Sequence, residues 1–181
     1  MAAKSKASKK KDDASDIPVE VRGIVPTPSG SGIFLGHGSK IITIFVDPSV
    51  SAAITMQLQG VKKPRPLTHD LIGSIFAGLG VRMLKVLIND LQEDTFFARL
   101  FLGEENELGT KIVEIDARPS DSIALALQQR CPIFVTADVW ARAEDMGWAL
   151  EKAEKSADAA EKEDGEATDE DGDEKPPESE N

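Results

Sequence analysis

Two similar stretches of sequence decide how this chain folds: Arg65-Pro66-Leu67-Thr68-His69-Asp70-Leu71 and Arg118-Pro119-Ser120-Asp121. Each places an Arg-Pro pair just ahead of a hydroxyl residue, an aspartate and an amphipathic apolar run. Proline disfavours the α conformation in the residue before it and is tolerated in the first helical turn. Thr or Ser can cap free backbone N–H groups, and Asp in the first turn suits the positive end of the helix dipole. Both stretches therefore predict the start of a helix, with an arginine held just outside it.

The two predicted helix starts also carry most of the side chains that could do chemistry. If the starts face each other, six ionisable side chains could meet in one polar site: Arg65, His69, Asp70, Asp116, Arg118 and Asp121. Any prediction of function depends on that convergence.

The charge of the chain is concentrated at its two ends. Residues 1–16 hold five lysines and three aspartates, a net charge of +2, whereas residues 151–181 hold fourteen acidic residues and four lysines, a net charge of −10. Because the whole chain carries −11, residues 17–150 are near neutral, at −3. Neither end shows the apolar periodicity of a packed element. We therefore predict a disordered basic tail over 1–16, one domain over 17–150 and a disordered acidic tail over 151–181.

The composition also bears on partners and compartment. The domain has no long basic stripe of the kind that binds phosphate backbones tightly, although Lys62, Lys63 and Arg65 form a small basic cluster. Cys131 is the only cysteine, which excludes an intramolecular disulfide and fits a reducing cytosol. Its apolar neighbours predict a buried structural thiol. With no secretory signal and no apolar run of about 18 residues, we expect a cytoplasmic protein that does not enter a membrane.

Hydrophobic periodicity and turn residues predict an α+β fold, in which a mainly antiparallel sheet is packed by about four helices. The predicted strands cover residues 19–25, 33–35, 40–46, 82–88, 95–102, 111–115 and 132–135. The predicted helices cover residues 49–59, 68–79 and 119–129, and a fourth helix, capped by Thr136, runs to about residue 150 or beyond. Asp47 is expected to cap the first helix.

Residues 19–150 resemble the bifunctional nuclease family, a domain found in bacteria, archaea and plants. The resemblance rests on Gly60, on the first stretch quoted above, and on three further segments: Thr95-Phe96-Phe97-Ala98, Asp116-Ala117-Arg118-Pro119-Ser120-Asp121-Ser122-Ile123-Ala124-Leu125-Ala126 and Pro132-Ile133-Phe134-Val135. It implies an α+β domain that forms a homo-oligomer and acts on both DNA and RNA. The chain departs from the family pattern at Asp47 and Val50, where members usually carry Gly and, on the first helix, Glu.

Hydrolysis of a phosphodiester needs an activated water and a way to neutralise charge on the phosphate. Carboxylates commonly hold Mg²⁺ or Mn²⁺ for this purpose, and the candidate metal ligands here are Asp70, Asp116 and Asp121. The candidate catalytic groups are His69, Asp70 and Asp121, because an imidazole can exchange protons near neutral pH. The candidate substrate-binding residues are Arg65, Arg118 and Ser120, since arginine can form bidentate bonds with phosphate.

The same residues are equally suited to architecture. Asp70 and Asp121 could cap their helices and pair with the arginine of the other stretch, and no metal, Walker or Cys-x-x-Cys pattern decides between these uses. The leading prediction is a metal-assisted nuclease acting on DNA and/or RNA. The first alternative is a non-catalytic binding or regulatory oligomeric domain, and the second is a hydrolase with a small phosphorylated or nucleotide substrate in a closed pocket.

Overall fold

A seven-stranded sheet organises the fold. The computed structural model describes residues 16–107 and 109–166, and within them the strands are β1 (Asp16–Thr27), β2 (Gly30–His37), β3 (Lys40–Val46), β4 (Val81–Gln92), β5 (Thr95–Asn106), β6 (Gly109–Ala117) and β7 (Ile133–Thr136). The helices are α1 (Pro48–Leu58), α2 (Thr68–Gly78), α3 (Pro119–Gln129), α4 (Ala137–Arg142) and α5 (Gly147–Glu166). The predicted α+β class is confirmed. No helix in these ranges is long and apolar enough to cross a membrane.

The strand order is β3-β2-β1-β7-β4-β5-β6, so β3 and β6 form the two edges. Of the pairings between described strands, β4 with β7 is parallel and the others are antiparallel. Strand β1 joins the β3-β2 part of the sheet to the β7-β4-β5-β6 part, because Asp16–Val19 pairs with β7 and Glu20–Thr27 pairs with β2. Two hairpins use left-handed turn residues, Gly38 between β2 and β3 and Glu93-Asp94 between β4 and β5.

The hydrophobic core lies between the sheet and the helices α1 and α3. Ile33 and Val86 from the sheet, Ile54 from α1 and Ile123 from α3 are fully buried, and burial of each such side chain stabilises the fold by roughly 1.5–3 kcal/mol. Cys131 is buried at the edge of this core, as predicted. Its burial raises the pKa of the thiol to about 11, so the thiol is neutral at pH 7.

Helix α2 lies alongside α3 and approaches it closely. A Cβ atom at Gly73 would stand 2.5 Å from Nε2 of Gln129, at the end of α3. The side chains at the end of α3 therefore lie directly against the backbone of α2. This packing brings the first turn of α2 against α3 and determines which side chains of the two helices can meet.

The hydroxyl residues do not cap α2 and α3, so that part of the prediction is wrong. Leu67 and Arg118 occupy the N-cap positions in extended conformation, without a hydrogen bond from a side-chain cap. Pro119 is the first helical residue of α3 and keeps Arg118 extended, which moves Ser120 inside the helix. The predicted cap of α1 is confirmed, because Asp47 Oδ1 accepts hydrogen bonds from the backbone N–H groups that open this helix.

The predicted fourth helix is broken into α4 and α5, so its prediction as one continuous helix is wrong. The Asp145 carboxylate accepts hydrogen bonds from the N–H groups of Gly147 at 3.1 Å and Ile41 at 3.2 Å. The N–H of Met146 donates to the carbonyl of Ile41 at 2.8 Å. Hydrogen bonds to the edge strand β3 thus replace the backbone hydrogen bonds that would have continued α4 into α5 as one helix.

Helix α5 continues to Glu166, beyond the boundary predicted at residue 151. Glu151 and Lys155 form an i,i+4 ion pair at 3.8 Å, and the alanines that follow favour helix. Local propensity therefore extends this helix into a segment whose charge predicted a tail. The predictions for residues 1–15 and 167–181 concern segments outside the described residues.

Candidate active site

The starts of α2 and α3 meet through His69 and Asp121. Nε2 of His69 lies 3.2 Å from Oδ1 of Asp121, and Nε of Arg118 donates to Oδ2 of the same carboxylate at 2.8 Å. The Arg118 guanidinium also reaches the start of α1, where its Nη1 lies 3.6 Å from Oδ2 of Asp47. These four side chains, His69, Asp121, Arg118 and Asp47, form what we call the polar row.

Within the polar row, the exposed fraction of the side chain rises from His69 to Arg118. The side chain of His69 is 14% exposed, that of Asp121 is 32% exposed and that of Arg118 is 64% exposed. Hydrogen bonding to Asp121 raises the pKa of Arg118, and the charge of Asp47 adds to the effect. The Ser49 hydroxyl lowers the pKa of Asp47, with help from backbone N–H groups and from Arg118. Arg118 is therefore a fixed, charged and accessible cation at neutral pH, suited to bind an anion.

Asp70 follows His69 in sequence but lies outside the polar row. Both of its carboxylate oxygens are 2.9 Å from Nζ of Lys63. Oδ2 also accepts from the N–H of Leu67 at 2.7 Å, and Oδ1 accepts from Nε2 of Gln128 at 2.5 Å. The hydrogen bond from Lys63 lowers the pKa of Asp70, and the N–H of Leu67 lowers it further. Asp70 is thus saturated, and it ties α2 to α3 and to the preceding loop.

Asp116 is not brought to the polar row. Ile115 and Ala117 lie opposite buried residues of β5, on the face of the sheet that contacts α3. Since side chains alternate along a strand, Asp116 points to the other face. It lies opposite Arg99, whose guanidinium pairs with Glu114 at 2.9 Å. The predicted convergence of all six side chains is therefore wrong for Asp116.

Arg65 lies exposed in the loop before α2. Within residues 16–107 and 109–166 it has no hydrogen bond or ion pair. Its predicted contact with substrate stays a prediction, and it contrasts with Arg118, which is fixed by two carboxylates.

Arg118 also lines a cleft of about 830 Å³. Strand β3, the β4–β5 turn, the start of α3 and the segment between α4 and α5 form its walls. Ser120, one of the predicted substrate-binding residues, is buried in the wall next to Arg118. Arg118 is the residue that the cleft and the polar row share.

Comparisons with known proteins identify the family of this chain. A sequence profile described as the bifunctional nuclease domain matches residues 35–146, which is more than half of the chain and includes all of the polar row. The chain belongs to the bifunctional nuclease domain family. The predicted resemblance is thereby confirmed.

The relatives are bacterial and plant proteins. An uncharacterised protein of Mycobacterium tuberculosis (strain H37Rv) is 41% identical over 129 residues, covering 69% of this chain and 74% of that protein. Bifunctional nuclease 1 of Oryza sativa subsp. japonica is 26% identical over 98 residues, covering 52% of this chain and 28% of the rice protein. A bifunctional nuclease of Oryza minuta matches to the same extent. The rice proteins therefore extend well beyond the region they share with this member of the family.

The predicted carboxylates do not assemble a metal site in this family member. In the part of the chain that the structure describes, no three His, Cys, Asp or Glu side chains are arranged to hold a metal ion. Asp70 is saturated, Asp116 points to the other face of the sheet, and Asp121 lies between His69 and Arg118. The donors present do not fit the predicted Mg²⁺ or Mn²⁺.

Three residues that the sequence did not place in the site are important to it. Asp47 was expected as a cap and stands where the family usually has Gly, and its second oxygen reaches Arg118. Lys63 and Gln128 hold Asp70 away from the polar row. The basic cluster around Lys63 was a visible signal, whereas Gln128 gave none because its partner is 58 residues away. Val50, at the position of the family's Glu, is buried in the core.

Proposed function

We propose that this protein is a nuclease that hydrolyses phosphodiester bonds of DNA, RNA or both, and that the polar row is its active site. The observation that carries the proposal is the contact of His69 with Asp121, beside the exposed and fixed Arg118. Membership of the bifunctional nuclease domain family supports the reaction class. The activity named for the rice proteins supports it as well, although this chain covers only 28% of their length.

The chemistry follows from the geometry of the row. When Nε2 of His69 donates its proton to Asp121, Nδ1 is the basic nitrogen and can take a proton from water. The resulting hydroxide forms a bond to phosphorus as the bond from phosphorus to the leaving sugar oxygen breaks, and that oxygen takes a proton from solvent. Arg118 stabilises the charge on the phosphate oxygens through its free N–H groups. Asp121 orients the imidazole and stabilises it once it is protonated.

The divalent ion predicted from the sequence enters no step of this mechanism, since the carboxylates do not gather to bind it. Its involvement stays a prediction for experiment. Cleavage that persists in EDTA would agree with a reaction carried by His69 and Arg118. Cleavage abolished by EDTA and restored by Mn²⁺ would mean that substrate or a rearranged site supplies the missing metal ligands.

The test is cleavage of labelled single- and double-stranded DNA and RNA by the purified full chain, with Mg²⁺, Mn²⁺ or EDTA. His69→Ala and Asp121→Asn should each lower cleavage by about 100-fold or more, whereas the matched control Asp116→Asn on the other face should retain it. Thermal unfolding of each variant verifies that the fold is intact. Equal cleavage by the wild type and both site variants would contradict the proposal, as would no cleavage by pure wild type.

The saturation of Asp70 favours a second candidate function, a non-catalytic binding or regulatory domain. In this reading the ion pairs of the polar row and of Asp70 only fix the helix starts, and Arg118 binds an anionic partner without cleaving it. It predicts that His69→Ala binds nucleic acid as wild type does and that neither protein cleaves it.

We also infer that the chain forms a homo-oligomer. Leu71 and Ile75 on α2 and Leu79 at its C-cap stand at i,i+4 spacing and are 57%, 47% and 69% exposed, while Ile72 of the same helix packs on the core. An exposed apolar stripe of this kind commonly marks an interface. Light scattering should show a change to monomer when Leu71 and Leu79 are both replaced by Glu. An unchanged mass would place the interface elsewhere or exclude the oligomer.

A further inference from the structure

The cleft beside Arg118 runs along the free edge of the sheet. Strand β3 pairs with β2 on one side only, and Ile41 uses its N–H and C=O on the other side to bond Asp145 and Met146. The backbone N–H and C=O groups of successive residues in a strand point to alternate sides. The N–H and C=O groups of Thr43 and Phe45 therefore point away from β2, as those of Ile41 do. Within the described residues they have no partner, and both residues line the cleft. Each therefore offers one donor and one acceptor side by side.

The walls of the cleft suit a flat ring. Phe45 is 70% exposed, far more than a packing role requires, and Phe96 lines the cleft as a second, half-buried ring. The hydroxyl of Thr43 is buried in the same wall and has no hydrogen-bond partner in the described part of the chain. An aromatic surface beside unpaired hydrogen-bonding groups fits a nucleobase, which stacks on a side chain and pairs along one edge.

The other end of the cleft suits a phosphate. The start of α3 has no side-chain cap and lines the cleft through Pro119 and Ser120. The free N–H groups of a helix start attract an anion, and Arg118 stands at the same place with N–H groups left over from its ion pairs. The phosphate end therefore coincides with the exposed end of the polar row.

The cleft also contains acidic groups that a bare phosphate would not explain. Asp94 in the β4–β5 turn and Glu144 between α4 and α5 line it and have no ion pair among the described residues. Arg142, in contrast, is held by Asp138 at 2.8 Å and by the carbonyl of Leu91 at 2.6 Å. Carboxylates commonly accept hydrogen bonds from ribose hydroxyls. The two free acids therefore fit the sugar of a ribonucleotide better than they fit a polyanion.

We propose that this cleft binds one ribonucleotide unit, with its base against Phe45 and the edge of β3, and its phosphate at Arg118 and the start of α3. The volume of about 830 Å³ lies in the range of small-ligand sites and leaves room for one nucleotide and water. The link to cleavage rests on the proposed function, since a phosphate held at Arg118 would lie beside His69. The binding itself does not depend on cleavage.

The test is calorimetric titration of the full chain with adenosine 5′-monophosphate. Phe45→Ala should weaken binding by about 5- to 150-fold, the range for loss of one base–aromatic stack, and Thr43→Val should weaken it less. The matched control is Ile112→Ala, which removes a similarly exposed apolar side chain, 60% exposed, from the far edge strand β6. Adenosine and 2′-deoxyadenosine 5′-monophosphate should both bind more weakly than the ribonucleotide.

The outcomes separate this inference from the proposed function. Binding that Phe45→Ala weakens, in a protein that cleaves nothing, would support the cleft and overturn the nuclease. Cleavage by a wild type that does not bind the nucleotide, and whose activity Phe45→Ala leaves unchanged, would overturn the cleft and leave the nuclease standing. Binding that Phe45→Ala and Ile112→Ala weaken equally would also overturn the inference.

Discussion

The two Arg-Pro stretches share their order of residues but have different structures. In the first, Arg65 is exposed and has no partner among the described residues, and Asp70 is saturated by Lys63, Gln128 and a backbone N–H. In the second, Arg118 is fixed by two carboxylates, and Asp121 contacts His69, which can exchange a proton, and Arg118, which stays charged. The first stretch contributes His69 to the site, and the second contributes the arginine and the carboxylate.

The difference shows that a helix start does not fix the role of its aspartate. Both Asp70 and Asp121 lie in a first turn, where the dipole favours a negative charge. What separates them is the neighbouring element: Asp70 faces the end of α3 and the loop lysine, whereas Asp121 faces His69. A matched pair of substitutions can therefore test each role against the other.

The largest expected effect is on cleavage. Asp121→Asn should lower kcat/KM by about 100- to 10,000-fold, the usual contribution of a positioned proton-transfer group, because His69 would lose the carboxylate that orients it. Asp70→Asn should leave cleavage within a few fold, since Asp70 bonds only structural partners. Cleavage rates at a temperature well below unfolding measure both. A larger loss for Asp70→Asn than for Asp121→Asn would reverse the roles assigned to the two stretches.

The two arginines should differ next. Arg118→Ala should weaken binding of an uncleaved nucleic acid by roughly 10- to 150-fold, which corresponds to one charge-assisted hydrogen bond. Arg65→Ala is the matched control and should weaken it by no more than about twofold, because an unfixed surface charge contributes little. Fluorescence anisotropy with a non-hydrolysable substrate in low salt measures the difference. Equal losses would mean that Arg65 closes on the substrate from its loop.

Much of this fold could be predicted from the sequence because its signals are local. Asp47-Pro48, Arg118-Pro119 and the apolar spacing that follows them fix α1 and α3. The break between α4 and α5 could not be predicted in this way, because Asp145 and Met146 bond to Ile41, more than a hundred residues earlier in the chain. Thr68 and Ser120 do not cap their helices, because the N-cap lies one residue earlier in α2, at Leu67, and two residues earlier in α3, at Arg118, where Pro119 is the first helical residue.

The candidate site was predictable in part. The sequence offered the meeting of the two helix starts as a hypothesis, and the contact of His69 with Asp121 agrees with it. The expected pairing of each aspartate with the arginine of the other stretch is wrong, because Asp121 binds its own Arg118 and Asp70 binds Lys63. Whether the side chain of Asp116 reaches the site depends on which face of β6 meets α3. The apolar residues at 112, 113 and 115 lie on both faces of that strand, so the sequence does not show which face is buried. The saturation of Asp70 depends on Gln128, a polar residue whose partner no local pattern reveals.

A smaller effect is expected on stability at Asp70. Asp70→Asn should lower the free energy of unfolding by about 1–3 kcal/mol, because its side-chain amide would face the donors of Lys63 and Gln128. Folding lowers the pKa of Asp70 below its usual value of 3.8, chiefly through the hydrogen bond from Lys63. The ionised carboxylate therefore stabilises the fold fully above pH 3.8, and this contribution is lost as the pH falls through the lowered pKa of the folded state. Urea unfolding should therefore show a constant difference between pH 7 and 5 and a smaller one below about pH 3.8. A difference that grows on acidification would exclude the ion pair with Lys63 as its source.

The smallest effect is expected at Asp116, and it fixes the boundary of the site. Asp116→Asn should change the free energy of unfolding by less than about 0.5 kcal/mol, as surface substitutions usually do, and should leave cleavage unchanged. Its side chain is exposed on the face opposite α3, beside an Arg99 that already pairs with Glu114. The same unfolding and cleavage assays measure it. If Asp116→Asn abolished cleavage while Asp121→Asn did not, the reaction would take place on the open face of the sheet, and the polar row would be only the support of two helix starts.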